Sequence, residues 1–391
     1  MTTQRCNLVA FLSLTLVTVA GARSIQDLNL PRPLPTFITP VTTFGQRPDW
    51  AHDGRRIVFL EKTSGDVYEV DIATRELTPL THDYPHEGYT RALYLANGDI
   101  LLSGARTYDA TNPGASRNEK NAELWVLRPG SGKPPVPLGA HCREGPAVSR
   151  TRMRINWAVG DEFHVADIVY DPEGIPRLAN DRVVLTHADL PNPGWKIEAQ
   201  NFRPGAEHEL IFNMYTPENN VIAMVMGIDL DTGKIVHYSN RPEVYDEPEG
   251  IFPDGKRTLV ESNRQRPEAP GMKNYQPIDL WVLELDGSER MTRLTNFNDD
   301  PDFKASQGVI SDDGRYMAFQ ISRTVTTRAT ATESLSWTLP PTSPPKASSC
   351  PNSPPAPCRL DSPSFTRPSS RLPWFPLPLR CRRLRPNRPS G

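Results

Sequence analysis

The chain predicts an all-β fold, a six-bladed β-propeller of four-stranded antiparallel blades, and two observations carry that expectation. The first is a turn that recurs five times: Trp50-Ala-His-Asp-Gly54, Leu95-Ala-Asn-Gly98, Phe202-Arg-Pro-Gly205, Phe252-Pro-Asp-Gly255 and Ser311-Asp-Asp-Gly314. The second is that short apolar runs follow these turns in a fixed order, so the pattern repeats at a period of roughly 45 to 60 residues. Four short strands copied around an axis make a propeller.

Each unit supplies its elements in the same order. After the turn comes a run such as Arg56-Ile-Val-Phe-Leu60, Ile100-Leu-Leu102, Glu209-Leu-Ile-Phe212, Thr258-Leu-Val260 or Tyr316-Met-Ala-Phe319. These runs are too short and too rich in Ile, Val and Phe for independent helices, and they read as strands. The Asp-Gly or Asn-Gly before them is a hairpin turn in which Gly takes a positive φ. A third strand reads as Asp66-Val-Tyr-Glu-Val-Asp-Ile72, Glu123-Leu-Trp-Val-Leu127, Ala223-Met-Val-Met-Gly-Ile-Asp-Leu230 and Asp279-Leu-Trp-Val-Leu-Glu-Leu285. The fourth reads as Glu76-Leu-Thr-Pro-Leu-Thr81, Pro135-Val-Pro-Leu138, Arg182-Val-Val-Leu-Thr186 and Met291-Thr-Arg-Leu-Thr295. A sixth copy lacks the turn glycine: Ser149-Arg-Thr-Arg-Met-Arg-Ile-Asn-Trp157 aligns with Ser311-Asp-Asp-Gly-Arg-Tyr-Met-Ala-Phe319, Ser on Ser and apolar on apolar.

From Phe252 to Thr295 the chain runs Phe-x-Pro-Asp-Gly-Lys-Arg, then Asp-Leu-Trp-Val-Leu-Glu-Leu-Asp-Gly, then Arg-Leu-Thr. This resembles the propeller repeat of the TolB-type family, a WD40-like Pro-Asp-Gly repeat, and the resemblance extends over about residues 45 to 323. It implies the fold and leaves function open, because such repeats serve periplasmic scaffolds, gating propellers of oligopeptidases and some polysaccharide lyases.

Residues 1–22 have the order of a secretory signal, with Arg5, an apolar run from Leu8 to Ala20, and small residues at Ala20-Gly-Ala22. The run is shorter than the roughly 20 residues a helix needs to cross a bilayer. Cleavage and export, to the periplasm or the extracellular space, are therefore expected, with no membrane span afterwards. Residues 23–323 form the expected propeller. Residues 324–391, with Pro340-Pro-Thr-Ser-Pro-Pro345 and Arg380-Cys-Arg-Arg-Leu-Arg385, are expected to be a disordered Pro/Ser/Arg-rich tail, unable to offset its ordering entropy by burial. The repeat stops inside a blade with almost no acidic residue after it, which also fits a reading-frame artefact. The last blade is left incomplete. Residues 36–44 are placed to supply one outer strand, and the β-branched stretch Thr324 to Leu339 another.

The net charge of −2 gives no reason to invoke nucleic acid or an anionic membrane as a partner. Cys142 is the single cysteine within the repeats, so burial and strand pairing, not disulfides, hold the ring. The chain has no Gly-x-Ser-x-Gly elbow and no room for a hydrolase domain, which excludes an oligopeptidase with its own serine nucleophile. Pro129-Gly-Ser-Gly-Lys133 lacks the following helix that a phosphate loop needs.

Polar residues recur where one blade hands over to the next. A dipeptide opens the inner strand as Glu87-Gly88, Glu144-Gly145, Glu249-Gly250 and Gln307-Gly308, with Glu198-Ala199 in the remaining copy. Glycine permits close backbone approach near the axis, and converging carboxylates either bind a cation, raise one another's pKa, or accept backbone hydrogen bonds that belt the ring together. A histidine follows the fourth strand at His82, His141 and His187. Three imidazoles at equivalent positions suit a divalent transition metal, although no His-x-His or His-Glu-x-x-His cluster compels one.

The expectation is a monomeric, exported, non-catalytic scaffold without cofactor that binds a protein or glycan at the rim, through the Glu-Gly dipeptides, the histidines and Tyr84, Tyr89 and Trp195. The alternative is a metal-dependent lyase or hydrolase on an acidic polysaccharide, in which His82, His141 and His187 share one divalent transition metal and Arg91 or Arg150 holds a substrate carboxylate.

Overall fold

The computed structural model describes residues 33–112, 115, 118, 120–205, 207–217, 222–267, 277–324 and 335–339. The expected signal at 1–22 lies outside the described residues, as does the expected tail at 324–391 apart from Thr324 and Leu335–Leu339, the latter a strand and not disordered. After a two-residue strand, β1 (Thr39–Pro40), the first blade is β2 (Gln46–Trp50), β3 (Arg56–Leu60), β4 (Val67–Asp71) and β5 (Leu77–Pro79). The second is β6 (Tyr89–Tyr94), β7 (Ile100–Ala105), β8 (Ala122–Leu127) and β9 (Val136–His141). The third is β10 (Arg143–Val148), β11 (Arg154–Val159), β12 (Glu162–Tyr170) and β13 (Pro176–Thr186). The fourth is β14 (Lys196–Phe202), β15 (Glu209–Tyr215), β16 (Ala223–Asp229) and β17 (Ile235–His237), and the fifth is β18 (Asp246–Ile251), β19 (Arg257–Ser262), β20 (Asp279–Glu284) and β21 (Met291–Arg293). Each is an antiparallel sheet in chain order.

The expected count of six blades is corrected here: five blades are complete units of consecutive strands, and the remaining four-stranded sheet is a composite of both ends of the described chain. In it β22 (Phe303–Ile310) and β23 (Met317–Arg323) are continued by β24 (Leu335–Leu339), and β1 closes the outer edge. Thr39 pairs with Thr338 and Pro40 with Trp337, while Ala318 pairs with Thr338 on the other side. The blade expected to be incomplete thus has its third and fourth strands from the two segments named for them, because an unpaired β23 would leave its outer backbone groups without partners.

The first strand of every sheet touches the first strand of the next, in the cycle β2, β6, β10, β14, β18, β22 and back to β2. These six strands line the axis. The core lies in the seams between sheets, and the period-two alternation of side chains shows why. Ile57 and Phe59 pack with Ala318 of the composite sheet, whereas Val58 and Leu60 on the opposite face pack with Ala92, Tyr94 and Ile100 of the second blade. Leu210, Phe212 and Met214 pack on the third blade, and Ile211 on the fifth. Both faces of a second strand are buried, so it reads as a continuous apolar run. The hidden copy is confirmed locally: the Ser149 N–H donates to the Arg154 carbonyl at 2.9 Å, as the Ser311 N–H does to that of Tyr316 at 2.9 Å.

Candidate binding site at the axis

Every axial strand carries a bulge. Pairing skips between Gln46 and Asp49, Tyr89 and Arg91, Arg143 and Ala147, Ala199 and Asn201, Pro248 and Ile251, and Ser306 and Val309. A bulge inserts residues without partners and re-aims their side chains, which is how Glu249 and Gln307, each within such a skip, turn toward one another. The Gly of the dipeptide is a matter of space. A Cβ on Gly250 would stand 2.6 Å from the Gly308 carbonyl oxygen, and one on Gly145 would stand 2.6 Å from Arg91 Nε.

The bulges bring Arg91, Glu198, Glu249 and Gln307 together, with two glutamates the sequence reasoning missed. Arg91 Nη1 donates to Gln307 Oε1 at 3.2 Å, and Nη2 lies 3.8 Å from Glu198 Oε1, so one guanidinium from the second blade reaches both the composite sheet and the fourth blade. Gln307 Nε2 donates to Glu249 Oε1 at 3.1 Å and Glu261 Oε1 at 3.2 Å, and its backbone N–H reaches Glu261 Oε1 at 2.6 Å. Glu247 and Glu261 are paired across β18 and β19. Glu247, Glu249 and Glu261, all buried, have ligand oxygens within 4.8 Å of one another. A sequence signal for Glu261 existed: a charged residue ends the apolar run Thr258-Leu-Val260.

The network divides its protons unevenly. Burial, then the charges of Glu261 and Glu198, push the Glu247 carboxyl up to about 8. Burial and the charges of Glu261 and Glu247 raise Glu249 well above the usual carboxylate range. Tyr215 has one hydroxyl proton but touches Glu198 Oε2 at 2.9 Å and also Glu247, while Tyr245 donates to the other Glu247 oxygen. A proton on Glu247 lets all of these contacts be hydrogen bonds. Burial lowers the Arg91 pKa, with Arg47 adding to the effect.

Other expected site residues lie elsewhere. Glu87 is exposed and makes no part of this network, and the Glu144 side chain is outside the described residues. Arg150 follows the end of its axial strand, where Arg91 stands near the start of its own. Arg150 Nη1 lies 3.1 Å from Asp49 Oδ2, Nε lies 2.8 Å from Asp312 Oδ1, and Nη2 donates to the Trp50 carbonyl at 2.6 Å. His52 joins the same group, with Nδ1 at 2.6 Å from Asp312 Oδ2 and Nε2 at 2.9 Å from the Leu95 carbonyl oxygen.

The three histidines are not brought together. His82 Nδ1 lies 3.4 Å from Asp66, His141 Nδ1 lies 3.2 Å from the Ala122 carbonyl, and His187 Nδ1 lies 3.0 Å from Asp161, each partner belonging to the histidine's own blade. Burial lowers the His187 pKa. Among the described residues, the group with metal-ligand spacing is the three glutamates. Of the aromatics, Tyr89 is buried, whereas Tyr84 and Trp195 are half-exposed on the segments leading into β6 and β14. Among the described residues no helix is long and apolar enough to cross a membrane.

No family model matches the chain, and no curated protein matches it. Among solved structures, it is similar to an oligogalacturonate lyase in complex with manganese (11% identity, 76% of this chain and 77% of that one, TM-score 0.45). It is also similar to a putative TolB from Agrobacterium tumefaciens (11% identity, 78% and 96%, TM-score 0.34). A third is the Swd1 propeller of Myceliophteria thermophila (12% identity, 73% and 82%, TM-score 0.44). These likenesses concern propeller architecture and do not choose among the functions of the proteins that share it.

Proposed function

We propose that the protein is an exported, monomeric, non-catalytic scaffold that binds a protein or glycan at the rim where the axial strands begin. The observation that supports this most is how the ionisable groups there are spent. Arg91, Glu198, Glu247, Glu249, Glu261 and Gln307 bond to one another and to Tyr215 and Tyr245. Such a mutually bonded buried network, in which Arg91 Nε has no acceptor, fixes the geometry of a ring. Half-exposed Tyr84 and Trp195 then offer flat apolar surface beside polar groups, a combination suited to sugar rings and peptide side chains alike.

The alternative, a lyase or hydrolase on an acidic polysaccharide, has one observation in its favour: Arg91, a cation able to hold a carboxylate, stands beside Glu247, which keeps its proton near neutrality as a general acid would. Affinity electrophoresis through polygalacturonate and through a neutral glucan separates the two. Retardation that Trp195→Ala and Tyr84→Ala weaken, without unsaturated uronate product, is the scaffold result for a glycan. Product formation with added manganese that Arg91→Met abolishes would overturn the scaffold reading.

A further inference from the structure

Both ring nitrogens of His52 face acceptors that cannot donate: the Asp312 carboxylate at 2.6 Å and the Leu95 carbonyl at 2.9 Å. A neutral imidazole has one N–H and one lone pair, so it satisfies one of these contacts and sets its lone pair against oxygen in the other. Only the imidazolium makes both. His86 shows the contrast: its Nε2 meets Asp66 at 2.8 Å, while its Nδ1 accepts from the Gly88 N–H at 2.8 Å, an arrangement a neutral ring satisfies in full.

The place of His52 in the ring gives that protonation a consequence. His52 lies on the β2–β3 turn, Leu95 follows β6 and Asp312 follows β22 in the composite sheet, so the one ring ties three sheets together at the end of the axial strands. Arg150, from the third blade, holds the other Asp312 oxygen at 2.8 Å and Asp49 at 3.1 Å. We infer that His52 is a protonation-dependent latch, which ties the composite sheet, the first blade and the second blade together when charged and gives up one of its two links when it loses its proton.

The neighbouring charges are accounted for. Asp312 and Asp49 favour the imidazolium and Arg150 opposes it. Asp53, on the same turn, is engaged by the Arg55 N–H and the Arg56 guanidinium. On the Asp312 turn, Asp313 is engaged by Ser311 Oγ and the Arg315 N–H, and beyond Leu95, Asp99 accepts from the Tyr170 hydroxyl. The balance lies with Asp312: its hydrogen bond is the largest influence on His52 and raises the pKa from the ordinary 6.5, against burial. With a folded pKa above the unfolded one, the latch stabilises fully below the unfolded value and is lost as pH rises through the folded one.

The test is a side-chain NMR titration of His52 in the full chain, assigned through His52→Gln, together with amide-exchange protection of residues 52–56, 95–99 and 311–316. The expected result is titration above 6.5, with protection of the 52–56 turn and of one of the two turns it meets falling through the same pH range by up to about tenfold per unit. His52→Gln should remove the fall in that range, and Asp312→Asn should lower the His52 pKa even if the glutamine variant fails to fold. Titration at or below 6.5, or protection factors that do not follow it, would overturn the latch.

Discussion

Arg91 has a large consequence at the axis, because it is the cation shared by Gln307 and Glu198 and faces Glu249 and Glu247. Removing one member of a buried, mutually bonded set leaves the others uncompensated, which costs about 3–5 kcal/mol. Arg91→Ala should therefore destabilise the fold by that order in urea denaturation at neutral pH. Glu249→Gln should cost less than about 1 kcal/mol, since Glu249 already favours its protonated form and an amide oxygen can still accept from Gln307 Nε2. Equal losses in the two variants would show that the proton is misplaced. Glu247 adds a pH signature. Its folded pKa of about 8 is raised above the ordinary 4.5, so its contribution is complete below the unfolded value and falls as pH rises toward 8. The slope is at most about 1.4 kcal/mol per pH unit. Glu247→Gln should flatten that part of a stability-versus-pH curve and leave the His52 titration in place.

At the scale of the element, the third and fourth strands of a blade are locked by an acid that the repeat supplies. Asp279 Oδ1 accepts from Thr295 Oγ1 at 2.7 Å and from the Phe297 N–H at 3.0 Å, and Oδ2 accepts from Arg293 at 2.6 Å and the Asn298 N–H at 3.1 Å. Asp66 repeats the first contact, with Thr81 Oγ1 at 2.7 Å, but replaces the rest with His82 and His86. The Asp279 carboxylate is fully enclosed where that of Asp66 is 19% exposed, so Asp279→Ala orphans more buried donors than Asp66→Ala. Asp279→Ala should cost about 3 kcal/mol and Asp66→Ala roughly half of that in thermal unfolding. The sequence does repeat an Asp followed by an aliphatic and an aromatic residue at Asp66-Val-Tyr68 and Asp279-Leu-Trp281, with Thr81 and Thr295 ending the fourth strands as read there, but the lock itself was not read; the turns were, with Gly54 at φ 65° and Gly314 at φ 69°. The bulges were not, because the phase shift that an inserted residue makes falls on polar and Gly residues such as Glu249-Gly250 and Gln307-Gly308, where there is no apolar alternation to interrupt. That is why Glu87 looked equivalent to Glu249 yet stands exposed, and why Arg91, four residues later, takes the place at the axis.

For the whole molecule the decisive question is closure. A ring of sheets has no free end only if its last sheet is completed, and here the chain returns β1 to the outside of β24, two strands drawn from opposite ends of the described residues. The sequence indicated which segments were available, since the repeat stopped after two strands and β-branched runs lay on either side of it. It could not indicate their order, which depends on β24 reaching β23 before β1 can pair with anything. Ending the chain after Thr342 keeps every described strand, whereas ending it after Thr324 removes β24, frees β1 and bares the outer edge of β23. An exposed edge flanked by buried Phe319 and Ile321 is a template for pairing with another chain. The shorter truncation should consequently sediment as aggregates and lose amide protection in β23, while the longer one stays monomeric with β23 protected. Should both behave alike, closure of the ring would rest on the seams of Phe319 with Leu259 and of Ala318 with Phe59, and not on the composite pairing.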